Sequence, residues 1–360
     1  MKLKLIKLSY YYIFVIVVLS SRKEIEMLSA VQLYCTTRCD HVCSFCRVRS
    51  SYPGDADFDK IAGLLLQIKE LRIPYVDFTG GNPLLCDWLG EALKLSNRLD
   101  QVSSLTVSGP MIARRGEELI GLPTILRFSI DGDESYHNHH GHGFYPSILH
   151  GLELARSVRQ NRPTQLLFTV MPGEKGNIRS EIFCDVLRLA REFGVMINVN
   201  PLFDSEFSSD EMELLLWFAK QADVQTSRGK LRFIARGGNN IQNPTCKAVS
   251  SVLTISSDNR LVLPCFHREV GSISLDDLNL REAVNSSHRL KAMKMQGKHA
   301  FCQGCSIWCY IIPSWITLAP QRVVALLQAL SLLQTPRDAI LRFCGKLNSK
   351  FPYPSFNPKG

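Results

Sequence analysis

Short apolar runs alternate with longer stretches of helical periodicity between residues 30 and 203. Strands that alternate with helices in this way are typical of parallel βαβ units. Six such units predict an α/β fold, an incomplete TIM-like (β/α)6 barrel whose ligands bind at the carboxyl ends of the strands. The predicted strands are 30–34, 75–79, 103–108, 124–130, 166–170 and 196–201, and the predicted helices are 58–71, 84–97, 117–120, 146–160 and 178–193.

The pattern becomes less regular after residue 203, which indicates a linker and a second module. Two short apolar runs at 252–255 and 260–263 flank a Ser-Ser-Asp-Asn turn and predict a β-hairpin. A last helical pattern covers 321–333. The predicted domains are an apolar extension at 1–26, the barrel at 27–238, a small α+β module at 239–312 and an apolar helical tail at 313–360.

The composition is that of a globular protein and excludes a disordered chain. Hydrophobic residues make up 45% of the 360 residues and charged residues 21%. The formal net charge of +9 would suit anionic partners such as phosphates, nucleic acid or a membrane surface. Because there is no dense basic run or RNA-binding motif, we expect a diffuse surface charge and no nucleic-acid partner.

The N-terminal segment resembles a signal peptide or a short anchor. Residues 1–7 are basic and residues 10–19 are apolar, but the apolar run is shorter than the roughly 20 residues that span a membrane. Three interpretations remain: a wrongly assigned start with Met27 as the true one, a membrane-surface anchor, or an element packed on the core. The first is favoured, so we expect a cytoplasmic protein, with peripheral membrane contact left open.

Three cysteines carry the most specific chemistry: Cys39, Cys43 and Cys46, spaced C-x3-C-x2-C. Three thiolates on one short loop can hold three irons of a [4Fe–4S] cluster and leave the fourth iron without a protein ligand. Half of a zinc site and disulfides are the alternatives, although zinc usually takes four ligands and disulfide frameworks belong mostly to small secreted domains. Most of the twelve cysteines fall within 35–46 and 246–309, which favours metal or Fe–S ligation in a reducing compartment.

The cysteine run resembles the signature of the radical S-adenosylmethionine (radical SAM) superfamily. The resemblance implies that the open iron binds the amino and carboxylate groups of SAM. It also implies that one electron from the cluster cleaves SAM to methionine and a 5′-deoxyadenosyl radical. An external donor of the flavodoxin or ferredoxin type would supply that electron, and Phe45, before the third cysteine, would pack near the adenine.

The segment Thr79-Gly80-Gly81-Asn82-Pro83 follows the second predicted strand. It resembles the G-G-E-P motif of the superfamily, whose backbone carbonyls and acidic side chain hold the SAM amino group. The glycines allow close approach of the backbone to a ligand. Asn82 replaces the acid, so its amide oxygen can accept a hydrogen bond from an ammonium group but carries no charge. By itself this sequence would be only a turn.

The fourth predicted strand ends in Ser129-Ile130-Asp131-Gly132, which resembles the S-x-D-G segment of many radical SAM enzymes. The resemblance implies that Ser129 contacts SAM and that Asp131 has a cofactor-binding or catalytic role; strand alternation places both on one face. The four histidines in 137–142 suggest a metal site, or else a loop shaped by glycines as in those enzymes. Asn177 matches a family asparagine or is a helix N-cap.

A second group of cysteines lies in the predicted small module. It resembles the twitch module, a shortened SPASM domain in which four cysteines bind an auxiliary [4Fe–4S] cluster. A structural zinc site on the same residues is the alternative, and Arg260 stands where the family has a glycine. The expected ligands are Cys246, Cys265, Cys302 and Cys305, with Cys309 as a fifth metal-binding candidate.

The resemblance thus implies a radical SAM oxidoreductase or maturase that abstracts hydrogen from a substrate C–H bond. Oxidation or cross-linking of a peptide is the favoured reaction. The same chemistry on a small molecule or a lipid is the first alternative. A zinc-stabilised barrel that binds without catalysis is the second.

Overall fold

The computed structural model describes residues 28–48, 54–140, 144–159, 162–226 and 228–317. The predicted N-terminal extension and the predicted helix at 321–333 lie outside these residues. No helix in the described ranges is both long enough and apolar enough to span a membrane.

Nine strands of the described residues form one sheet, in the order β6-β5-β4-β3-β2-β1-β7-β8-β9. Strands β1 to β6 pair in parallel, and β7 pairs in parallel with β1, whereas β8 and β9 are antiparallel. The strands are β1 Ala30–Thr36, β2 Tyr75–Gly80, β3 Val102–Val107, β4 Ile125–Ile130, β5 Thr164–Val170, β6 Met196–Pro201, β7 Val252–Ile255, β8 Arg260–Leu263 and β9 Gly271–Ser274.

Helices connect the parallel strands and surround the module that follows them. They are α1 Phe58–Glu70, α2 Leu89–Arg98, α3 Met111–Leu119, α4 Glu134–His140, α5 Tyr145–Val158, α6 Ser180–Phe193, α7 Ser209–Phe218, α8 Arg228–Ala235, α9 Ala248–Ser251, α10 Leu280–Asn285, α11 Ser287–Met295 and α12 Trp308–Thr317. Short 3-10 turns cover Pro83–Leu85, Phe266–Arg268 and Ala300–Cys302.

The sheet is open, because β6 and β9 form its two edges and do not pair with each other. The predicted α/β fold with a partial barrel is therefore confirmed. All six predicted barrel strands and both strands of the hairpin are present. Helix α3 begins earlier than the predicted helix at 117–120. Arg114 and Arg115 interrupt the apolar pattern in the sequence, but Ile112 and Leu119 both lie on the buried face of the helix.

Alternation along each strand divides the barrel into two chemically different faces. On the outer face, alternate residues of each strand pack against the helices and form the main core. In this set Phe168 of β5 is fully buried and contacts Phe183 and Phe218 of α6 and α7, with ring centroids 5.5 and 6.0 Å away. Apart from Ser103 of β3, this outer layer is apolar in β1 to β6, as is typical of the helix-covered side of a parallel sheet.

The inner face is apolar only where the strands begin. The first residues of four strands form a second buried cluster together with α12 and the residue that precedes it. Tyr310 of α12 accepts a hydrogen bond from the backbone N–H of Phe266 over 3.1 Å, which ties this helix to the turn after β8. The amino ends of the barrel are therefore filled, and the carboxyl ends remain for ligands. The cluster consists mainly of Ala30, Tyr75, Val102, Ile125, Ile307, Tyr310 and Ile311.

Replacing Phe168 by alanine tests the outer core. The cavity among three packed rings should lower the free energy of unfolding by about 3–5 kcal/mol. Urea denaturation followed by circular dichroism measures this loss. The exposed Val158 is the matched control, because its alanine variant should change stability by less than about 0.5 kcal/mol. Equal effects of the two substitutions would contradict the assignment of the core.

Candidate active site

The loop after β1 carries Cys39, Cys43 and Cys46, and its base is fixed by an ion pair. Arg38 Nε donates to Asp55 Oδ1 over 2.7 Å, and a second guanidinium nitrogen binds Asp55 Oδ2. The hydroxyl of Thr36 also donates to Asp55. Because Asp55 lies just before α1, the loop is clamped between β1 and the first helix of the barrel.

The turn after β2 packs directly on this loop through its backbone. Gly81 N–H donates to Thr36 O over 2.7 Å, and Asn82 N–H donates to Arg38 O over 2.8 Å. A methyl group on Gly80 would lie 2.3 Å from Thr36 O, and one on Gly81 would lie 2.0 Å from Arg38 O. Gly80 also has a φ of +135°. The two glycines therefore allow the turn to pack against the cysteine loop. The sequence had suggested only that they allow a ligand to approach the backbone.

The three thiols lie near Asp131 at the end of β4. Burial raises the pKa of the Cys43 thiol to about 12, and the charges of Asp131, Cys46 and Cys39 raise it further. A thiol with so high a pKa is protonated at neutral pH, so binding of iron to Cys43 would have to displace its proton. The structure thus brings the predicted catalytic acid and the three cysteines to one edge of the sheet.

Among the residues that the structure describes, no group of three or more His, Cys, Asp and Glu side chains is arranged around a single metal-ion position. This finding concerns one ion. In a [4Fe–4S] cluster each thiolate binds a different iron, so the sulfurs need not converge on one point.

Asn82 is fully buried, and both ends of its amide are engaged. Nδ2 donates to Asp40 Oδ1 over 2.7 Å and to Ser108 O over 3.1 Å, while Oδ1 accepts from Leu84 N–H over 3.2 Å. The side chain therefore joins the cysteine loop, the end of β3 and the short turn at Pro83–Leu85. The expected contact between Asn82 and SAM remains a prediction, and the amide already has these protein partners.

Two buried side chains hold Asp131 by its backbone. His137 Nδ1 accepts from Asp131 N–H over 3.2 Å, and Asn177 Nδ2 donates to Asp131 O over 2.5 Å. Asn177 does not cap α6, whose N-cap residue is Arg179. Burial raises the pKa of Asp131 to about 6 and lowers that of His137 to about 4. His137 thus supports the turn that follows β4. Three of the four histidines lie in helix α4, where the family resemblance had predicted a loop.

The remaining predicted cofactor residues are partly exposed at the same edge. Thr79 and Ser129 lie at the ends of β2 and β4, and Phe45 lies within the cysteine loop. Pro83 is buried and begins the 3-10 turn that Asn82 caps. All predicted cofactor-binding residues therefore belong to the loops or strand ends around the three cysteines.

A polar network inside the barrel was missed by the sequence reasoning. Arg127 of β4 donates to Tyr75 over 3.1 Å and to Gln165 over 3.2 Å, and its guanidinium lies 3.7 Å from Asp77 Oδ1. Ser104 also donates to Asp77. The available signal was alternation: Asp77, Ser104 and Arg127 each share a strand face with the apolar residue that begins their strand, and Tyr75 is itself such a residue. The network lies one layer below Thr79 and Ser129.

The second cysteine group also converges. Burial raises the pKa of Cys246 to about 12, and the charges of Cys305 and Cys302 raise it further. The pKa of Cys265 is raised by burial and then by Cys246 and Cys305. The cis bond between Leu263 and Pro264 precedes Cys265. Four of the cysteines predicted from sequence are thus neighbours in the fold.

Cys309 faces a different environment. Its side chain is accessible, but surrounding protein still raises the pKa of the thiol to about 12, and Gln32 of β1 hydrogen-bonds to it. Beside it, burial lowers the pKa of Lys230 to about 7, and the Lys230 ammonium lies 4.7 Å above the Trp308 ring. Cys309 therefore lies between the four-cysteine group and the polar interior of the barrel.

Comparison with known proteins agrees with these features. Residues 33–199 match the family described as the radical SAM superfamily. This part of the barrel is therefore similar to that superfamily, as its motifs predicted.

Solved structures with the same fold include two radical SAM enzymes. SuiB of Streptococcus suis bound to precursor peptide SuiA superposes with a TM-score of 0.61 at 14% identity, covering 88% of this chain and 76% of that chain. Native anSMEcpe with bound AdoMet and Cp18Cys peptide gives a TM-score of 0.57 at 13% identity, covering 84% of this chain and 99% of that chain. No curated protein sequence matches the chain.

Replacing Gly81 by alanine tests the contact between the two motifs. The added methyl would overlap Arg38 O, so we expect a loss of about 1–3 kcal/mol in stability and of iron from the cysteine loop. Thermal unfolding and iron content after anaerobic reconstitution measure both effects.

Gly63 is the matched control for this substitution. It lies inside α1 with no neighbouring atom within 4 Å of an added methyl, so alanine there should stabilise by roughly 1 kcal/mol and keep the iron. A Gly81→Ala protein that behaved like Gly63→Ala would contradict the proposed contact.

Proposed function

We propose that this protein is a radical SAM enzyme of the SPASM/twitch type that oxidises or cross-links a peptide side chain. The observation that carries the proposal is the interlocked pair of motifs: the C-x3-C-x2-C loop and the Gly-Gly turn bind each other at the carboxyl ends of β1 and β2. In this proposal Cys39, Cys43 and Cys46 hold the catalytic cluster. When bound, SAM and the cluster would supply the radical chemistry that removes a hydrogen atom from a substrate C–H bond.

The residues present fit these groups. The three thiols are accessible or partly accessible, and Gly80 and Gly81 are partly exposed at the same edge of the sheet. We assign Thr79, Gly80 and Gly81 to the methionine part of SAM, by the resemblance of their motif, and Asn82 to the support of this site through its contact with Asp40. Phe45, Pro83, Ser129 and Asp131 complete the assigned cofactor site, and Asp131 is the candidate catalytic residue nearest to substrate.

The second cysteine group is assigned to an auxiliary [4Fe–4S] cluster. Its support is the convergence of four buried or partly buried cysteines from three separate parts of the chain. We place it in a twitch/SPASM-like module at 239–312, after a radical SAM core at 27–238. The ligands are Cys246, Cys265, Cys302 and Cys305, with Cys309 as the remaining candidate.

A peptide is the favoured substrate because both structural relatives with the same fold were solved with one. SuiB is bound to its precursor peptide SuiA, and anSMEcpe is bound to the Cp18Cys peptide. The polar network of Asp77 and Arg127 inside the open barrel offers hydrogen-bonding groups for a polar side chain or backbone amide. The electron would come from an external flavodoxin- or ferredoxin-type donor, as in a reducing cytoplasm.

Loss of the three loop cysteines tests the catalytic assignment. Anaerobically reconstituted wild-type protein with a strong reductant should convert SAM to 5′-deoxyadenosine. The Cys39→Ala, Cys43→Ala, Cys46→Ala triple variant should form none, because its cluster has no ligands. Chromatography of the nucleoside products measures the difference.

Cys184→Ala is the control for that experiment, since Cys184 is exposed on α6 and belongs to neither cysteine group. It should retain wild-type activity. If the triple variant still produced 5′-deoxyadenosine, the catalytic cluster would not be in this loop.

The auxiliary site is tested in the same triple variant. It should keep about four irons per chain, since a second [4Fe–4S] cluster would remain. Further substitution of Cys246 and Cys302 by alanine should remove them. Measurement of iron, sulfide and zinc in the triple variant shows whether the second cysteine group binds an iron–sulfur cluster or zinc.

A triple variant that held zinc alone, or no metal, would overturn the auxiliary cluster and favour a structural zinc site. Cys309→Ser should lower the iron content less than Cys305→Ser. Equal losses would instead make Cys309 a ligand.

A further inference from the structure

The carboxylate of Asp40 lies between the cysteine loop and the Gly-Gly turn. One of its two oxygens accepts no hydrogen bond from the described residues. Oδ1 accepts the hydrogen bond from Asn82, whereas Oδ2 is buried and accepts none within the described residues. A buried carboxylate oxygen without a donor costs free energy. His41 Nε2 lies 3.8 Å from Oδ1, beyond hydrogen-bond distance, so Oδ2 can accept a donor from a ligand.

The surroundings of Oδ2 place it at the ligand-binding edge of the barrel. A methyl group on Gly109, directly after β3, would lie 3.0 Å from Oδ2 and 2.4 Å from His41 Nε2. Gly109 has a φ of +73°. Asp40 thus contacts the ends of β2 and β3 from the loop that follows β1. The Asp40 side chain is 19% exposed at this edge, although Oδ2 itself is covered.

The contacts of Asn82 explain why the charge is at position 40. The amide directs Nδ2 at Asp40 and uses Oδ1 to cap the turn at Leu84. A carboxylate at position 82 would have no N–H to donate to Asp40 and would repel it across the same distance. The amide at position 82 therefore suits a carboxylate at position 40.

We infer that Asp40 binds the ammonium group of SAM through Oδ2, and that Asn82 is a positioning residue for Asp40. The inference rests on the proposed function, since it requires SAM at the carboxyl ends of β1 and β2. An ammonium donor fills the unused carboxylate oxygen and forms a charge-assisted bond, about twice as strong as a neutral one. The negative charge expected in the Gly-Gly turn is thus supplied from the neighbouring loop, one residue after Cys39.

Equilibrium binding of SAM by the reconstituted protein, without turnover, tests the inference. Asp40→Asn replaces the charge-assisted bond by a neutral one, so the dissociation constant for SAM should rise about tenfold. For the SAM analogue that lacks the α-amino group, Asp40→Asn and wild-type protein should bind equally. Iron content and the absorbance spectrum of each sample establish that the clusters are retained.

A second experiment exchanges the side chains at positions 40 and 82. The double variant Asp40→Asn, Asn82→Asp moves the carboxylate to the other side of the same hydrogen bond, so SAM affinity should return to within about threefold of wild type. Asn82→Asp alone should not tighten SAM binding, because it replaces the hydrogen bond to Asp40 by a repulsion between two carboxylates. Asp57→Asn is the charge control: Asp57 caps α1, where asparagine caps equally well, and SAM affinity should be unchanged.

The inference, but not the proposed function, would be overturned if Asp40→Asn bound SAM with wild-type affinity. It would also be overturned if this variant lost the same affinity for SAM as for the amine-free analogue. A tightening by Asn82→Asp alone would also overturn it, since position 82 would then face the ammonium directly. If Asp40→Asn lost its clusters, recovery of iron and SAM binding in the double variant would still support the exchange, and no recovery would contradict it. Wild-type protein that bound no SAM would overturn both this inference and the proposed function.

Discussion

The backbone contact between the loop after β1 and the turn after β2 is the constraint on which the rest of the site depends. Two N–H groups of the turn, from Gly81 and Asn82, donate to carbonyls at Thr36 and Arg38. These bonds require the absence of side chains at Gly80 and Gly81, where a Cβ would overlap the loop carbonyls. Parallel pairing of β1 with β2 brings the two segments to the same edge. The cysteines therefore acquire their position from the sheet, through a turn that itself bears no metal ligand.

The barrel is built so that its two faces serve different purposes. Helices cover an apolar outer face, whose aromatic packing around Phe168 supplies much of the buried area. The inner face changes from apolar to polar along the strands, from the cluster sealed by α12 to the hydrogen-bonded layer around Arg127. A substrate that enters from the open edge thus meets polar groups before it meets the apolar floor. The second cysteine group adjoins that floor through Cys309 and Gln32.

Much of this organisation was predictable because it depends on local patterns. The apolar periodicity predicted six parallel strands and the hairpin, and the spacing of Cys39, Cys43 and Cys46 predicted the similarity of residues 33–199 to the radical SAM superfamily. Helix α10 was missed, although Asn279 and Glu282 form a capping box that marks its start. The partnership of Asp40 and Asn82 could not be predicted in this way. It depends on the geometry by which two loops meet, and neither residue has a neighbour in sequence that indicates the other.

The central claim is that SAM binds to an open iron of the cluster in the loop after β1. Electron paramagnetic resonance of the reduced, reconstituted protein tests it most directly. In protein whose second cysteine group has been replaced by alanine, one reduced [4Fe–4S] signal should remain, and its g-values should shift when SAM is added. A signal unchanged by saturating SAM would mean that SAM does not bind this iron, and it would contradict the account.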